Sequence, residues 1–131
     1  TDILNKKFDG ELALSKLQQY FAEENIGNAL MEKSVFVGMG DLIRTEALYR
    51  AKIHPESLVK NIPEKKLIFL IISAVNFADE LVEHFKNDEV NSKALIFEKK
   101  MCPKDKSEIQ IAISTETNRK IYICPKCQKL F

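Results

Sequence analysis

The spacing of apolar residues changes near residue 90, and this change constrains the fold more than any other feature of the chain. Before it, apolar residues recur every three or four positions, as in amphipathic helices. After it, isoleucine stands at every second position of residues 109–113 and 121–123, as in strands. With 131 residues, 45% of them hydrophobic, the chain is long enough to bury a core. We predict a mainly α-helical bundle followed by a small β-hairpin.

Breaking residues divide the helical part into four helices. The first begins after Gly10 and ends before Asn25, and the second covers residues 28–33. A glycine-containing break separates it from a third helix over residues 41–52, for which Asp41 is the predicted N-cap. The fourth covers residues 63–86, with a proline in its first turn. Its apolar face supplies four predicted core residues: Leu67, Ile71, Phe77 and Leu81.

All cysteines lie in the last third of the chain, at positions 102, 124 and 127. An odd number of cysteines without a secretory signal favours a reduced, intracellular setting over a disulfide framework. The pair in Cys124-Pro125-Lys126-Cys127 follows a strand-like run rather than opening a helix, which favours metal ligation over redox chemistry. Cys102 precedes the predicted hairpin, whose loop covers residues 114–120, so a metal would hold the hairpin at its base.

Charge and hydropathy exclude several classes of protein. Twenty basic and 19 acidic residues give a net charge of +1, which excludes a global polybasic surface but not a local patch. The longest apolar run, residues 67–75, is far shorter than the ~20 residues of a membrane span. No signal peptide opens the chain, so we expect a protein that is neither secreted nor membrane-bound. Because Thr1 is the first residue, we expect a fragment of a longer protein.

Residues 30–55 resemble the helix-two-turn-helix segment of the formamidopyrimidine-DNA glycosylase/endonuclease VIII family. The family pattern is a G-x-G-N turn followed by an acidic residue, Leu, an aromatic residue, Ala, Ile, His and Pro. The matching residues are Gly38, Gly40, Glu46, Leu48, Tyr49, Ala51, Ile53, His54 and Pro55. The terminal C-P-K-C-Q resembles the end of the family's zinc finger. The resemblance implies a helix-two-turn-helix domain over residues 1–90 and a zinc-finger-like β-hairpin over residues 91–131.

The resemblance also implies a function, which is recognition of damaged double-stranded DNA during base-excision repair. Members of the family use an N-terminal proline as a nucleophile in a separate β-rich domain. The four prolines here are internal, and their nitrogens are tertiary amides, so no catalytic residue is assigned. We therefore expect the chain to be the DNA-binding C-terminal region of a DNA glycosylase/AP lyase. A monomer in the cytoplasm (at the nucleoid) or in the nucleus fits this function.

The same resemblance assigns a DNA-binding surface to the turn and to the tip of the hairpin. Its candidate residues are Lys33, Gly38, Gly40, Asp41, Arg119 and Lys120. Arginine suits a phosphate contact because its guanidinium donates two parallel hydrogen bonds. The family has Asn where Asp41 stands, and an ionised carboxylate would repel a phosphate. The alternative for Asp41 is therefore a helix cap, and the alternative for Arg119 is an exposed side chain in a polar loop.

The family finger carries two C-x2-C pairs, and the first pair is altered in this chain. It reads Cys102-Pro103-Lys104-Asp105, so the resemblance implies zinc ligation by Cys102, Asp105, Cys124 and Cys127. The alternative is a finger that has lost its metal and is stabilised by isoleucine packing.

Two further functions remain open from the sequence. Besides part of an active glycosylase, the chain could be part of a catalytically silent relative that binds nucleic acid. It could also be a protein-interaction module on the same scaffold. Asp41 and the near-neutral charge are compatible with the interaction module.

Overall fold

The computed structural model describes residues 10–32, 40–85, 95–113 and 120–131. Its elements are the helices α1 (Gly10–Tyr20), α2 (Ile26–Ala29), α3 (Asp41–Ala51) and α4 (Glu64–Phe85), a 3-10 helix (Val59–Asn61), and the strands β1 (Gln110–Ile113) and β2 (Lys120–Ile123). The predicted fold class, a mainly helical unit followed by a small β-hairpin, is confirmed. In the part of the chain that the structure describes, no helix is long and apolar enough to cross a membrane.

The two short elements before the turn differ in detail from the sequence prediction. Helix α2 begins two residues earlier than predicted, because the side chain of Asn25 accepts a hydrogen bond from the Asn28 N–H and caps the helix there. The helix ends at Ala29, so the predicted continuation to Lys33 was wrong over residues 30–32, and Lys33 itself lies outside the described residues. The N-cap of α3 is Gly40, so the prediction that Asp41 caps the helix was wrong by one residue. Asp41 is the first helical residue, where an acidic side chain complements the helix dipole.

Helix α4 provides the centre of the core. Its first turn rests on Pro63, whose carbonyl accepts hydrogen bonds from the N–H groups of Lys66 and Leu67. The predicted core residues Leu67, Ile71 and Phe77 are buried, whereas nothing is described of the Leu81 side chain. The buried face of α4 packs mainly against α3, with α1 beside it.

The hairpin is antiparallel and pairs Ala112 with Ile121 and Ile111 with Tyr122. Ile121 and Ile123 belong to the main core, whereas Ile111 is 55% exposed on the opposite face. The alternation of isoleucines in β1 therefore predicts the strand but not its buried face, which is set by the packing of β2 against α3. The predicted loop lies outside the described residues except for Lys120, which is the first residue of β2.

A second, smaller core lies between α3 and the cysteine-containing turns. Its buried residues are Tyr49, Ile96, Cys102, Ile109 and Cys124. The end of the chain is joined to the segment after α3, because the Lys129 N–H donates to the Lys52 carbonyl and the His54 N–H donates to the Lys129 carbonyl. These contacts place the cysteines beside the C-terminal half of α3.

Candidate metal centre and nucleic-acid interface

Two similar turns bring the predicted metal ligands together. In the first, the Lys106 N–H donates to the Cys102 carbonyl, and in the second the Gln128 N–H donates to the Cys124 carbonyl. The second turn is held in place by Gln128, whose side chain accepts from the Cys124 N–H and donates to the Ile53 carbonyl. The three Sγ atoms and a carboxylate oxygen of Asp105 all lie within 4.8 Å of one another.

The spacing of these four atoms suits a tetrahedral ion. The Cys102 and Cys127 Sγ atoms are 3.7 Å apart, and Asp105 Oδ2 is 3.7 Å from Cys124 Sγ and 3.3 Å from Cys127 Sγ. A zinc ion bonded to thiolates at about 2.3 Å in a tetrahedron separates neighbouring ligand atoms by about 3.8 Å. The set of three sulfurs and one oxygen therefore fits zinc, with Asp105 in the position of the fourth ligand.

Tyr49 lies directly behind this cluster. Its hydroxyl is 3.1 Å from Cys102 Sγ, and both side chains are buried. Burial raises the pKa of the Cys102 thiol, but hydrogen bonds from Tyr49 and from the backbone N–H groups of Asp105 and Lys104 outweigh it, and the pKa is lowered overall. Burial, followed by the contact with Cys102, raises the pKa of Tyr49, so its hydroxyl is protonated at neutral pH. Tyr49 can therefore donate to a Cys102 thiolate.

Asp105 and Cys127 have opposite shifts. The Ser107 N–H donates to Asp105 Oδ1 at 2.9 Å and is the main cause of the lowered pKa of this carboxyl. Burial, with the neighbouring Asp105 carboxylate, raises the pKa of the Cys127 thiol to about 12. The carboxylate is ionised and ready to bind a cation at neutral pH, whereas the Cys127 proton has to be displaced by the metal.

Arg44 connects the turn before α3 to the hairpin. Its side chain is almost fully buried, and it donates to the Gly27 carbonyl at 3.1 Å and to the Lys120 carbonyl at 3.3 Å. The same guanidinium lies 3.2 Å from the Asp41 carboxylate. Gly40, Asp41 and Lys120 are therefore brought to one edge of the molecule. Of the other predicted DNA-binding residues, Lys33, Gly38 and Arg119 lie outside the described residues.

Gly27 allows helix α2 and the turn at Pro55 to approach each other closely. Its N–H donates to the Pro55 carbonyl at 2.8 Å. A Cβ atom at this position would lie 2.9 Å from Pro55 Cβ and 3.1 Å from the Pro55 carbonyl oxygen, so the position requires glycine. The turn at His54-Pro55 therefore packs directly on α2.

Glu46 has a role that the residue pattern did not reveal. Its side chain is fully buried and accepts hydrogen bonds from the backbone N–H groups of Leu95, Ile96 and Phe97, at 2.7–2.9 Å. Arg50 lies 3.6 Å from the same carboxylate. The sequence marks this position as the acidic residue of the family pattern but does not indicate its partners. Glu46 fixes the segment that leads into the cysteine-containing turns onto α3.

Comparison with known proteins identifies the family. The formamidopyrimidine-DNA glycosylase H2TH domain matches residues 1–93. The chain belongs to the formamidopyrimidine-DNA glycosylase/endonuclease VIII family. Mouse Endonuclease 8-like 2 is 32% identical over 130 residues, which are 97% of this chain and 38% of the mouse protein. A viral DNA glycosylase of known crystal structure is 30% identical, with a TM-score of 0.82 over 98% of this chain and 49% of its own.

The chain spans 38% of the length of the mouse protein and 49% of that of the viral DNA glycosylase. Lactococcus lactis formamidopyrimidine-DNA glycosylase, solved with DNA containing an AP site, covers 98% of this chain and 48% of its own, with a TM-score of 0.84 and 24% identity. This last similarity shows the fold. The matched part of this chain thus includes both the helical part and the hairpin with its cysteine-containing turns.

Proposed function

We propose that this chain is the DNA-binding part of a base-excision-repair DNA glycosylase/AP lyase that recognises damaged double-stranded DNA. The main observation in support is the position of Arg44, which joins Asp41 at the start of α3 to the first residue of β2. This contact supports the proposal because it joins the start of α3 to the hairpin, the two parts that would grip a duplex together. In this proposal the protein acts as a monomer, in the nucleus or at the nucleoid, and the division of the chain at residue 90 stays a prediction.

Zinc completes this proposal at the base of the hairpin. Cys102, Asp105, Cys124 and Cys127 would hold the ion, and its contribution is structural, because all four positions are taken by protein ligands. Tyr49 orients Cys102, and Ser107 orients Asp105. The hairpin has only two strands of four residues and would be marginal in water without such support.

The proposal can be tested by titrating the protein against a labelled duplex that contains an abasic-site analogue. Fluorescence anisotropy, recorded at several salt concentrations, measures the affinity. Arg119→Ala should weaken binding by roughly 1.5–3 kcal/mol, the range for hydrogen bonds to charged groups. It should also lower the slope of log affinity against log salt by about one. Lys60→Ala is the matched control. Lys60 is an exposed cation in the 3-10 helix, and its ammonium group is paired with Glu23. Equal effects of both variants would contradict a specific contact by Arg119.

Asp41 tests the turn separately. Asp41→Asn should strengthen duplex binding, because it removes a repulsive carboxylate and restores the amide donor of the family. Asp41→Ala also removes the pairing with Arg44 but supplies no donor. We expect Asp41→Asn to bind more tightly than Asp41→Ala, and equal binding would limit the effect to charge repulsion.

A second candidate function is a protein-interaction module, and the acidic residue at the turn favours it. If neither Arg119→Ala nor Asp41→Asn changes duplex binding, the DNA-binding proposal fails and this second function takes its place.

A further inference from the structure

The two strands of the hairpin differ in what lies beside them. The sheet consists of β1 and β2 alone, so each strand has one outer edge. Helix α3 covers the outer edge of β2, where the Tyr122 N–H donates to the Thr45 hydroxyl at 3.4 Å. At the same edge, the Lys120 carbonyl accepts from Arg44 at 3.3 Å. Of the two strands that the structure describes, only β1 therefore has an uncovered edge.

The backbone groups of Ile111 and Ile113 face this uncovered edge. Just before the strand, the Ile109 N–H donates to the Lys100 carbonyl at 2.9 Å and so points away from β2. Alternate residues of an antiparallel strand direct their N–H and C=O groups to the same side, so those of Ile111 and Ile113 also point outward. Their partners in β2 agree with this direction, because they bond to α3. Among the described residues, the outward groups of Ile111 and Ile113 have no hydrogen-bond partner.

The same two residues also expose their side chains. Ile111 and Ile113 lie on one face of the hairpin, and each is 55% exposed. Natural proteins usually protect a free strand edge with a charged residue, a proline or a bulge. The strand reads Q-I-A-I and pairs regularly with β2, so it has none of these. An uncharged edge that exposes both backbone groups and isoleucine side chains favours the addition of another strand.

We propose that β1 pairs antiparallel with β1 of a second copy of this chain, across a two-fold axis at Ala112. This axis places Ile111 of each copy opposite Ile113 of the other. Opposite residues whose backbone groups face each other exchange both N–H···O hydrogen bonds. The two Ile111–Ile113 pairs therefore satisfy every outward N–H and C=O group of the strand. Their side chains come together on one face, where cross-strand pairs of apolar residues stabilise a sheet.

The register and the charge of β1 favour a second copy as the occupant. An axis at Ile111 would place Ile113 opposite Ile109, whose N–H is already bonded to Lys100. An axis at Ile113 would place Ile111 opposite a residue beyond the strand. The axis at Ala112 is therefore the one that uses both free residues. Because β1 has no charged residue, two copies meet without repulsion between the strands, and the strand offers no cation to a nucleic acid.

The pairing is expected to be weak and to concern the free protein. Two strands of four residues cover less than the ~1,200 Å² of accessible surface that stable interfaces bury. We therefore expect a dissociation constant of roughly 0.1–1 mM. The monomer of the proposed function is the form expected on DNA. Pairing through β1 does not depend on duplex binding, so either one can fail without the other.

Dilution of the 15N-labelled chain, followed by 1H–15N NMR, tests the pairing over a range from about 1 mM to about 20 µM, which includes the expected dissociation constant. We expect the amide signals of Ile111 and Ile113 to shift with concentration and that of Asp41 to stay unchanged. A mixture of isoleucine-methyl-labelled and unlabelled chains tests the register. Isotope-filtered NOEs should join the Ile111 methyl groups of one copy to those of Ile113 in the other. Spectra that do not change with concentration would overturn the proposal.

A pair of matched variants separates this edge from other exposed apolar surface. Ile111→Lys should raise the dissociation constant about tenfold, because each dimer loses two cross-strand isoleucine pairs. Ile72→Lys is the matched control, since Ile72 is a similarly exposed isoleucine on α4, at 50%. It should leave the dissociation constant unchanged, and circular dichroism checks that both variants are folded.

Two outcomes of these measurements would assign the surface differently. Equal weakening by Ile111→Lys and Ile72→Lys would overturn the proposal in favour of unspecific association. If the Ile111 and Ile113 amides shift only on addition of duplex DNA, and not with protein concentration, the edge is a nucleic-acid contact and the proposal is wrong. The NOE measurement uses the unaltered chain, so it decides the register even if a variant fails to fold.

Discussion

At the scale of single residues, the side chains that hold this molecule together are charged and buried. Arg44 and Glu46 lie two positions apart on α3, and both contact distant parts of the chain. Arg44 contacts Gly27 and Lys120, and Glu46 contacts residues 95–97. Removing a buried charge leaves its partners unsatisfied, which costs more than the loss of an exposed pair. Substitution of Arg44 or Glu46 should therefore destabilise the fold more than substitution of an exposed charged residue.

We expect Glu46→Gln to lower the free energy of unfolding by about 3 kcal/mol. The carboxylate accepts three backbone N–H donors and faces Arg50, and an amide can replace only part of this acceptor capacity. Urea denaturation monitored by circular dichroism measures the change. Glu80→Gln is the matched control, because Glu80 is 44% exposed and meets the same arginine at 3.5 Å. Glu80→Gln should lower the free energy of unfolding by less than about 1 kcal/mol. A similar decrease in both variants would contradict the role given to Glu46.

At the scale of elements, the proposed zinc site links the hairpin and its two turns through three sulfurs and one oxygen. Elemental analysis of protein purified without chelator should find one zinc per chain. Asp105→Cys should raise zinc affinity, because a fourth thiolate is a softer ligand for this ion, and Asp105→Ala should lower it. Competition with a chromophoric chelator measures both, and Glu108→Ala, an exposed acidic residue outside the cluster, is the control. An intact fold without metal would support a zincless finger instead.

Zinc affinity should also depend on pH in a defined direction. The pKa of Asp105 is lowered, so the carboxylate releases no proton on binding near neutral pH. The pKa of Cys127 is raised to about 12, so its thiol proton is released when zinc binds. Affinity should therefore increase with pH, about tenfold per pH unit for each thiol proton released. The same chelator competition, repeated between pH 6 and pH 8, checks this, and a pH-independent affinity would contradict it.

The elements, and the grouping of the three cysteines with Asp105, could be predicted from sequence because the signals for them are local. Periodicity, the Pro63 start and the cysteine spacing each act within a few residues. The role of Glu46, the burial of Arg44 and the exposure of Ile111 could not, because they depend on contacts about 50 or more residues apart or on the docking of β2. The capping error at Asp41 has the same origin, since the glycine before it and the distant hairpin decide where that side chain lies.

At the scale of the whole molecule, the chain contains the H2TH domain of its family and a hairpin, and we expect it to lack catalysis by itself. Borohydride should trap no covalent adduct between this chain and abasic DNA, because its four prolines are internal and provide no secondary amine. Gel electrophoresis of the trapped mixture makes the measurement, with a family member that carries an N-terminal proline as the positive control. A trapped adduct of this chain would show that another amine supplies the nucleophile.

The cysteine-containing segment is attached to α3 where it begins and to the residues directly after α3 where it finishes. Glu46 holds residues 95–97 where the segment begins, and Lys52 and His54 hold Lys129 where it finishes. These hydrogen bonds restrict the movement of both ends of the segment relative to α3. Little conformational entropy is left to lose when a partner meets both the segment and α3, so association carries a smaller entropic penalty than it would for a hairpin on a flexible tether.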